Sequence, residues 1–178
     1  ETSESKLIIN DEQLCVDVKP RTRGKSEMII EEFMLLANES AARLAREKQI
    51  PFVYRIHETP SPEKIDDLKS GLRRLNVEIP VFSQVKPAHL AEILTNAKDK
   101  PFYPVVNMMT LRSMAKAKYH TEPVGHFGLA LDDYAHFTSP IRRYPDLAIH
   151  RILSDVIDGA DSQWLEKRYG GFAAKASE

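Results

Sequence analysis

Two adjacent arginines, Arg142 and Arg143, follow Ser139-Pro140 inside the stretch HFGLALDDYAHFTSPIRRYPDLAIHR, His126 to Arg151. Serine before proline is the pairing expected of a helix N-cap and its first helical residue. Free backbone N–H groups at such an end favour an anion, and a guanidinium fork binds phosphate through two parallel hydrogen bonds. The pattern predicts a phosphate cradle at the start of a helix running from Pro140 to about Asp158. Pro145 has no N–H to offer the carbonyl of Ile141, so the first turn should be kinked or loose. Asp146 lies four residues after Arg142 and three after Arg143, and can pair with either on a solvated face. His150 stands four residues further on, where a structural role competes with a chemical one. Tyr134, Phe137 and Tyr144 flank the arginines. Aromatics interleaved with basic groups suit stacking of single-stranded bases, and core packing is the competing explanation.

These residues need elements to hold them. Residues 1–5 are polar and expected to fray. Leu7-Ile8-Ile9 and Leu14 to Val18 are short β-type runs on either side of Asn10 to Gln13, which reads as a hairpin. Lys19 to Lys25 forms a basic loop with Arg21 and Arg23. Ser26 is a candidate N-cap for a helix of about 22 residues, with Ile30, Phe33, Met34, Ala37, Ala41 and Leu44 at helical spacing. Phe52 to His57 alternates like a strand. An amphipathic helix follows Pro60 and Pro62 to about Leu75, and Lys86-Pro87 opens another that ends near Lys98. Pro101 to Lys118 turns helical from about Val106. His126 to Leu131 reads as a strand, 132–139 as a loop, and Ser162 to Arg168 as a last short helix. The fold class is mixed α/β of the α+β kind, helix-rich with a few short strands and no regular βαβ rhythm.

The composition narrows the classes further. The chain has 178 residues, 42% apolar and 29% charged, which suits a globular domain or a large piece of one and not a disordered chain. One cysteine, Cys15, excludes an internal disulfide framework and a Cys-only zinc site, and fits a reducing compartment. No apolar run approaches the ~20 residues that a membrane-spanning helix requires. The net charge of −1 is not that of a strongly basic nucleic-acid binder, so any positive surface must be local.

Three stretches share one resemblance. HFGLALDDYAHFTSPIRRYPDLAIHR resembles the signature of the ribonuclease II/R (RNB) family in its ribonuclease R-like form. MIIEEFMLLANESAARLA, Met28 to Ala45, and VYRIHETPSPEKI, Val53 to Ile65, agree with it in order and spacing. The resemblance covers nearly the whole chain. It implies the C-terminal portion of the catalytic RNB domain of a processive 3′→5′ exoribonuclease, which hydrolyses single-stranded RNA to nucleoside 5′-monophosphates. A cytoplasmic location is implied, with no membrane. Arg142 matches the family arginine that contacts the terminal phosphates and would offset charge in the transition state. Arg143 is the secondary candidate. Glu31 matches a glutamate that recognises ribose, and a carboxylate accepting from the 2′-hydroxyl can tell RNA from DNA. Asn38, seven residues after Glu31, shares its helical face and is expected to orient it. A first-turn glutamate favoured by the helix dipole is the plain alternative for Glu31. Tyr134 and Thr138 match motif positions and join Glu31, Asn38 and Arg143 as RNA-binding candidates. His150 also matches one.

The family reaction is thought to use two Mg²⁺ ions held by closely spaced aspartates. No matching cluster stands in this sequence. Asp66-Asp67 looks like a solvated helix face and Asp132-Asp133 falls in a connecting loop, so no residue here is expected to ligate metal. The resemblance puts the metal-bearing segment N-terminal to this one, and cold-shock and S1-type RNA-binding domains on either side of the catalytic domain. Residues 1–178 are therefore expected to be a partial catalytic domain, inactive alone. The alternatives are a non-catalytic RNA-binding module and a structural module that keeps the same fold.

Overall fold

A computed structural model describes residues 5–20 and 24–177, without the side chains of 172–174, 176 and 177. The polar start at 1–4 and the arginines of the basic loop, 21–23, lie outside the described residues. The chain divides into two units, 1–36 and 37–178.

In the first unit, β1 (Ser5–Ile9) pairs antiparallel with β2 (Cys15–Pro20), as the hairpin reading expects. Local chemistry makes the turn. The Asn10 side chain accepts from the N–H groups of Glu12 and Leu14, at 3.1 and 2.8 Å, and Gln13 adopts a left-handed φ of 61°. Helix α1 (Lys25–Lys48) begins in this unit. Ser26 is a residue within the helix and not its cap. Glu27 reaches back to accept from the Gly24 N–H at 2.8 Å, the glutamate half of a capping box.

The second unit holds the core. The last part of α1 (Ala41, Ala42, Ala45), Phe52, Val53, strand β3 (Tyr54–Ile56) and Ala135 pack with Ile149 and Ile152 of α5 (Tyr144–Ile157) and with Leu165 of α6 (Ser162–Ser177). A second cluster joins α2 (Pro62–Arg74), α3 (Pro87–Ala97) and α4 (Tyr103–Ser113) around Leu72, Ile93 and Val106. Ser61 caps α2 and Pro62 enters its first turn, so the expected helix start is realised. Strand β4 (Lys118–His120), which the sequence reading does not contain, pairs antiparallel with β3. The fold is thus mixed and helix-rich, with two two-stranded sheets among the described residues.

Three expectations are corrected. His126 to Leu131 is not a strand. His126 bridges to His57 and to Leu131, and the chain between folds into a 3₁₀ turn, Phe127–Leu129. Imidazole acceptors replace the ladder: the Gly128 N–H donates to His57 Nδ1 at 3.1 Å and the Leu129 N–H to His126 Nδ1 at 3.2 Å. A side chain at 128 would collide with the His57 ring, 2.6 Å from where its Cβ would sit. Second, α5 begins at Tyr144, not at Pro140. Pro140 to Arg142 form a turn, closed by the N–H groups of Arg142 and Arg143 on the Ser139 carbonyl at 3.3 and 3.1 Å. Pro145 then sits in the first helical turn, where its missing N–H costs nothing. Third, α6 continues to Ser177, past Gly170 and Gly171. Glycine costs a helix about 1 kcal/mol each, but Leu165 and Tyr169 are buried and anchor this one.

Candidate functional site

The segment Tyr134 to Arg143 has no regular structure, so its backbone needs partners from elsewhere. The Arg55 N–H donates to the Tyr134 carbonyl at 2.9 Å and ties the segment to β3. Asn38, in the buried part of α1, then takes two amides: the Phe137 and Thr138 N–H groups donate to its Oδ1 at 2.9 and 3.2 Å. Its Nδ2 donates to the Tyr134 hydroxyl at 3.2 Å, which fixes the orientation of the amide. His150 Nε2 donates to the Phe137 carbonyl at 2.9 Å, and its ring stacks on Phe137 with centroids 4.3 Å apart. Asp146 Oδ2 accepts from the Ser139 N–H at 2.8 Å. Two helices thereby clamp three consecutive loop residues, directly before the turn that carries Arg142.

The two arginines part company here. Arg143 donates to Asp146 Oδ2 from Nε and Nη2, at 3.1 and 2.8 Å. Asp146 is 0% exposed, so the pair expected on a solvated face is buried instead. Arg142 is exposed, and its guanidinium has no hydrogen bond or ion pair among the described residues. The charge of Arg143 is offset and that of Arg142 is not. Within Tyr134 to His150, two buried oxygens lack partners among the described residues: Thr138 Oγ1 and Asp146 Oδ1.

His126 and His136 add no positive charge at neutral pH. His136 Nδ1 lies 2.9 Å from the Tyr119 hydroxyl. Burial, reinforced by Arg143 and Arg55, lowers the His136 pKa to about 4. Burial, with His57 beside it, lowers His126 to about 4 as well. Arg55 lies over the Tyr119 ring, 4.7 Å from its centroid. Burial is also the main reason that Tyr54 is raised to about 12.

The expected site residues therefore have different surroundings. Arg142 and Glu31 are exposed, Arg143 and Thr138 are half-buried, and Asn38 and Tyr134 are buried. Glu31 belongs to the first unit, and the others to the second. Asn38, at 3% exposure, serves the loop backbone, a role that the spacing to Glu31 did not suggest. Asp146 and His150 were visible as neighbours on the helix, but not as capping groups for the loop. Nothing in the local sequence announces Arg46, which holds the buried Asp133 through Nε at 2.7 and 2.9 Å from its two oxygens. Asp66 and Asp67 are exposed on α2. Among the described residues no group of three or more His, Cys, Asp or Glu could hold a metal ion. Among the described residues the donor set here does not fit a metal.

The family profile described as the RNB domain matches residues 1–159. Ribonuclease R of Thermotoga maritima is 44% identical over 153 residues, covering 86% of this chain and 22% of that protein. Ribonuclease R of Escherichia coli is 44% identical over 153 residues, 86% of this chain and 19% of that one. The structure of Mycoplasma genitalium RNase R in complex with ribose-methylated single-stranded RNA matches with a TM-score of 0.87 and 30% identity, over 99% of this chain and 28% of its own. The chain spans about a fifth of the length of the curated relatives it matches.

Proposed function

This chain belongs to the RNB family, and from that premise we propose that it forms part of a 3′→5′ exoribonuclease that hydrolyses single-stranded RNA to nucleoside 5′-monophosphates. Its share is the grip on the sugar–phosphate end of the strand. One observation carries this reading: among the described residues the Arg142 guanidinium has no hydrogen bond or ion pair, and it projects from a turn closed on the Ser139 carbonyl and tied through Phe137, Thr138 and Ser139 to Asn38 and Asp146. An exposed arginine without a partner is available to a phosphate at no cost in broken bonds. Its charge would offset the negative charge that builds on the phosphate during cleavage.

Glu31 is assigned to the ribose, accepting from a 2′-hydroxyl. Arg143 and Thr138 flank the strand, with Arg143 adding little net charge beside Asp146. We assign no direct strand contact to Asn38 or Tyr134, whose burial turns them inward. The Mg²⁺ of the reaction, which would activate water and stabilise the leaving oxygen, is not assigned to any residue of this chain. The isolated chain is accordingly expected to bind RNA and not to cleave it. A cytoplasmic location follows from the family reading alone; no helix among the described residues is long and apolar enough to cross a membrane.

The test is a titration of a labelled oligoribonucleotide against the chain and its Arg142→Ala variant over a range of salt. Loss of one phosphate contact should weaken binding and lower the salt slope by about 0.7. Equal affinity and slope for both proteins would remove the basis of the assignment. Incubation with RNA and Mg²⁺ tests the division of labour: mononucleotide release that disappears in Arg142→Ala would show that the chain is catalytic by itself. Glu31→Ala should narrow the preference for RNA over DNA of the same sequence.

A further inference from the structure

We infer that Asn38, Asp146 and His150 are positioning residues for Arg142, acting through the backbone of Phe137–Ser139 and not through contact with RNA. The inference rests on the reading that Arg142 grips a phosphate. No side chain among the described residues holds the Arg142 guanidinium, so its aim depends on the backbone of its turn. That turn is closed by two bonds onto the Ser139 carbonyl, from the Arg142 and Arg143 N–H groups. Whatever fixes Ser139 therefore fixes Arg142.

Ser139 and the two residues before it are fixed entirely from outside the loop. Asn38 receives two amides, Asp146 receives the third, and His150 donates to the Phe137 carbonyl. The partners come from two helices: Asn38 of α1 lies 99 and 100 residues before the amides it receives, and Asp146 and His150 of α5 lie 7 and 13 residues after theirs. Part-buried polar bonds of this kind favour one geometry, because an alternative leaves a group unsatisfied. Tyr134 sets the Asn38 amide so that Oδ1, and not Nδ2, faces the two N–H groups. The arrangement resembles an oxyanion-hole scaffold in logic: part-buried bonds beneath, and above them a charge without a partner among the described residues.

The experiment is a double-mutant cycle on RNA affinity and its salt slope, using Arg142→Ala, Asn38→Ala and the combination. The expected result is that Asn38→Ala loses about tenfold, comparable to Arg142→Ala, as for one lost charge-assisted bond. The double variant should then bind no more weakly than Arg142→Ala alone, because both remove the same contact. Asn38→Asp, which keeps the oxygen that receives the two amides, should recover most of the loss. A residue touching phosphate directly would show the opposite, since Asp would repel it. His150→Phe keeps the stack on Phe137 and deletes one bond, so it gives a smaller loss with the same non-additivity. It also carries the cycle should Asn38→Ala not fold. Additive losses, or a folded Asn38→Ala with unchanged affinity and slope, would overturn the inference while leaving the phosphate reading intact. An unchanged Arg142→Ala would sink that reading, and this inference with it.

Discussion

The segment Tyr134 to His150 and the unit formed by residues 5–36 solve the problem of order in opposite ways. In the first, an irregular backbone is held by buried polar side chains from distant helices, and a carboxylate sits at 0% exposure. In the second, regular elements form from neighbours in sequence while Leu7, Ile30 and Phe33 stay in water. A cavity of about 660 Å³ lined by Lys25, Met28, Ile29, Glu32, Phe33 and Leu36 lies on that apolar face. Geometry is specified at different ranges in the two. Local signals are enough for a hairpin or a helix. A loop that aims a charge needs long-range bonds, and each bond it lacks costs more than a surface contact gains.

The largest effect should come from the apolar floor under the clamped segment. Phe52 is 1% exposed, and Phe52→Ala should lower the urea-unfolding free energy by about 3–5 kcal/mol. Asp146→Ala comes next. It strips the Ser139 N–H of its acceptor and leaves Arg143, half-buried, without its partner. Discounted for the partial exposure of Arg143, the loss should be about 2–3 kcal/mol. Asp146→Asn retains an acceptor for Ser139 and should lose less. Equal losses for the two variants would mean that the ion pair, not the cap, does the holding.

Acid should separate the regions next. His126 and His136 stay neutral in the folded protein down to about pH 4, because burial disfavours their charged forms. In the unfolded chain they titrate near 6.5. Between these values the unfolded state binds more protons, so stability is full above pH 6.5 and falls as pH drops towards 4. His136→Gln should flatten this part of the urea-midpoint profile relative to the parent chain. An unchanged profile in the variant would count against a neutral, buried His136.

The same contrast separates what the sequence makes legible from what it does not. The hairpin was legible from Asn10 and its flanking runs, and α2 from its amphipathic pattern after Pro60 and Pro62, because the bonds involved span four residues or fewer. The Ser139-Pro140 signal was misleading for a physical reason. It is locally identical to a helix start, but the Ser139 N–H goes to Asp146 and the helix waits for Pro145. The arginine pair stood out because guanidiniums just after Ser-Pro are a local pattern, and the family resemblance singled out Arg142 from the two. The task of Asn38 did not, since its partners lie 96 to 100 residues away and leave no periodicity.

The smallest expected effect lies in the first unit and bears hardest on the comparison. Phe33 fits the apolar stripe of α1 by spacing, which a reading from sequence assigns to the core. Its side chain is 64% exposed, so mutation removes little area from a buried environment. Phe33→Ser should therefore change stability by no more than about 0.5 kcal/mol, the range of ordinary surface substitutions. Phe52→Ala, compared under identical conditions by urea unfolding, supplies the contrast: two phenylalanines with costs that differ several-fold. Serine lowers helix propensity slightly, and that alone accounts for a loss of a few tenths. A cost above about 1 kcal/mol for Phe33→Ser would mean that its ring is covered in solution, and that the exposed face of the first unit is not what separates the two regions.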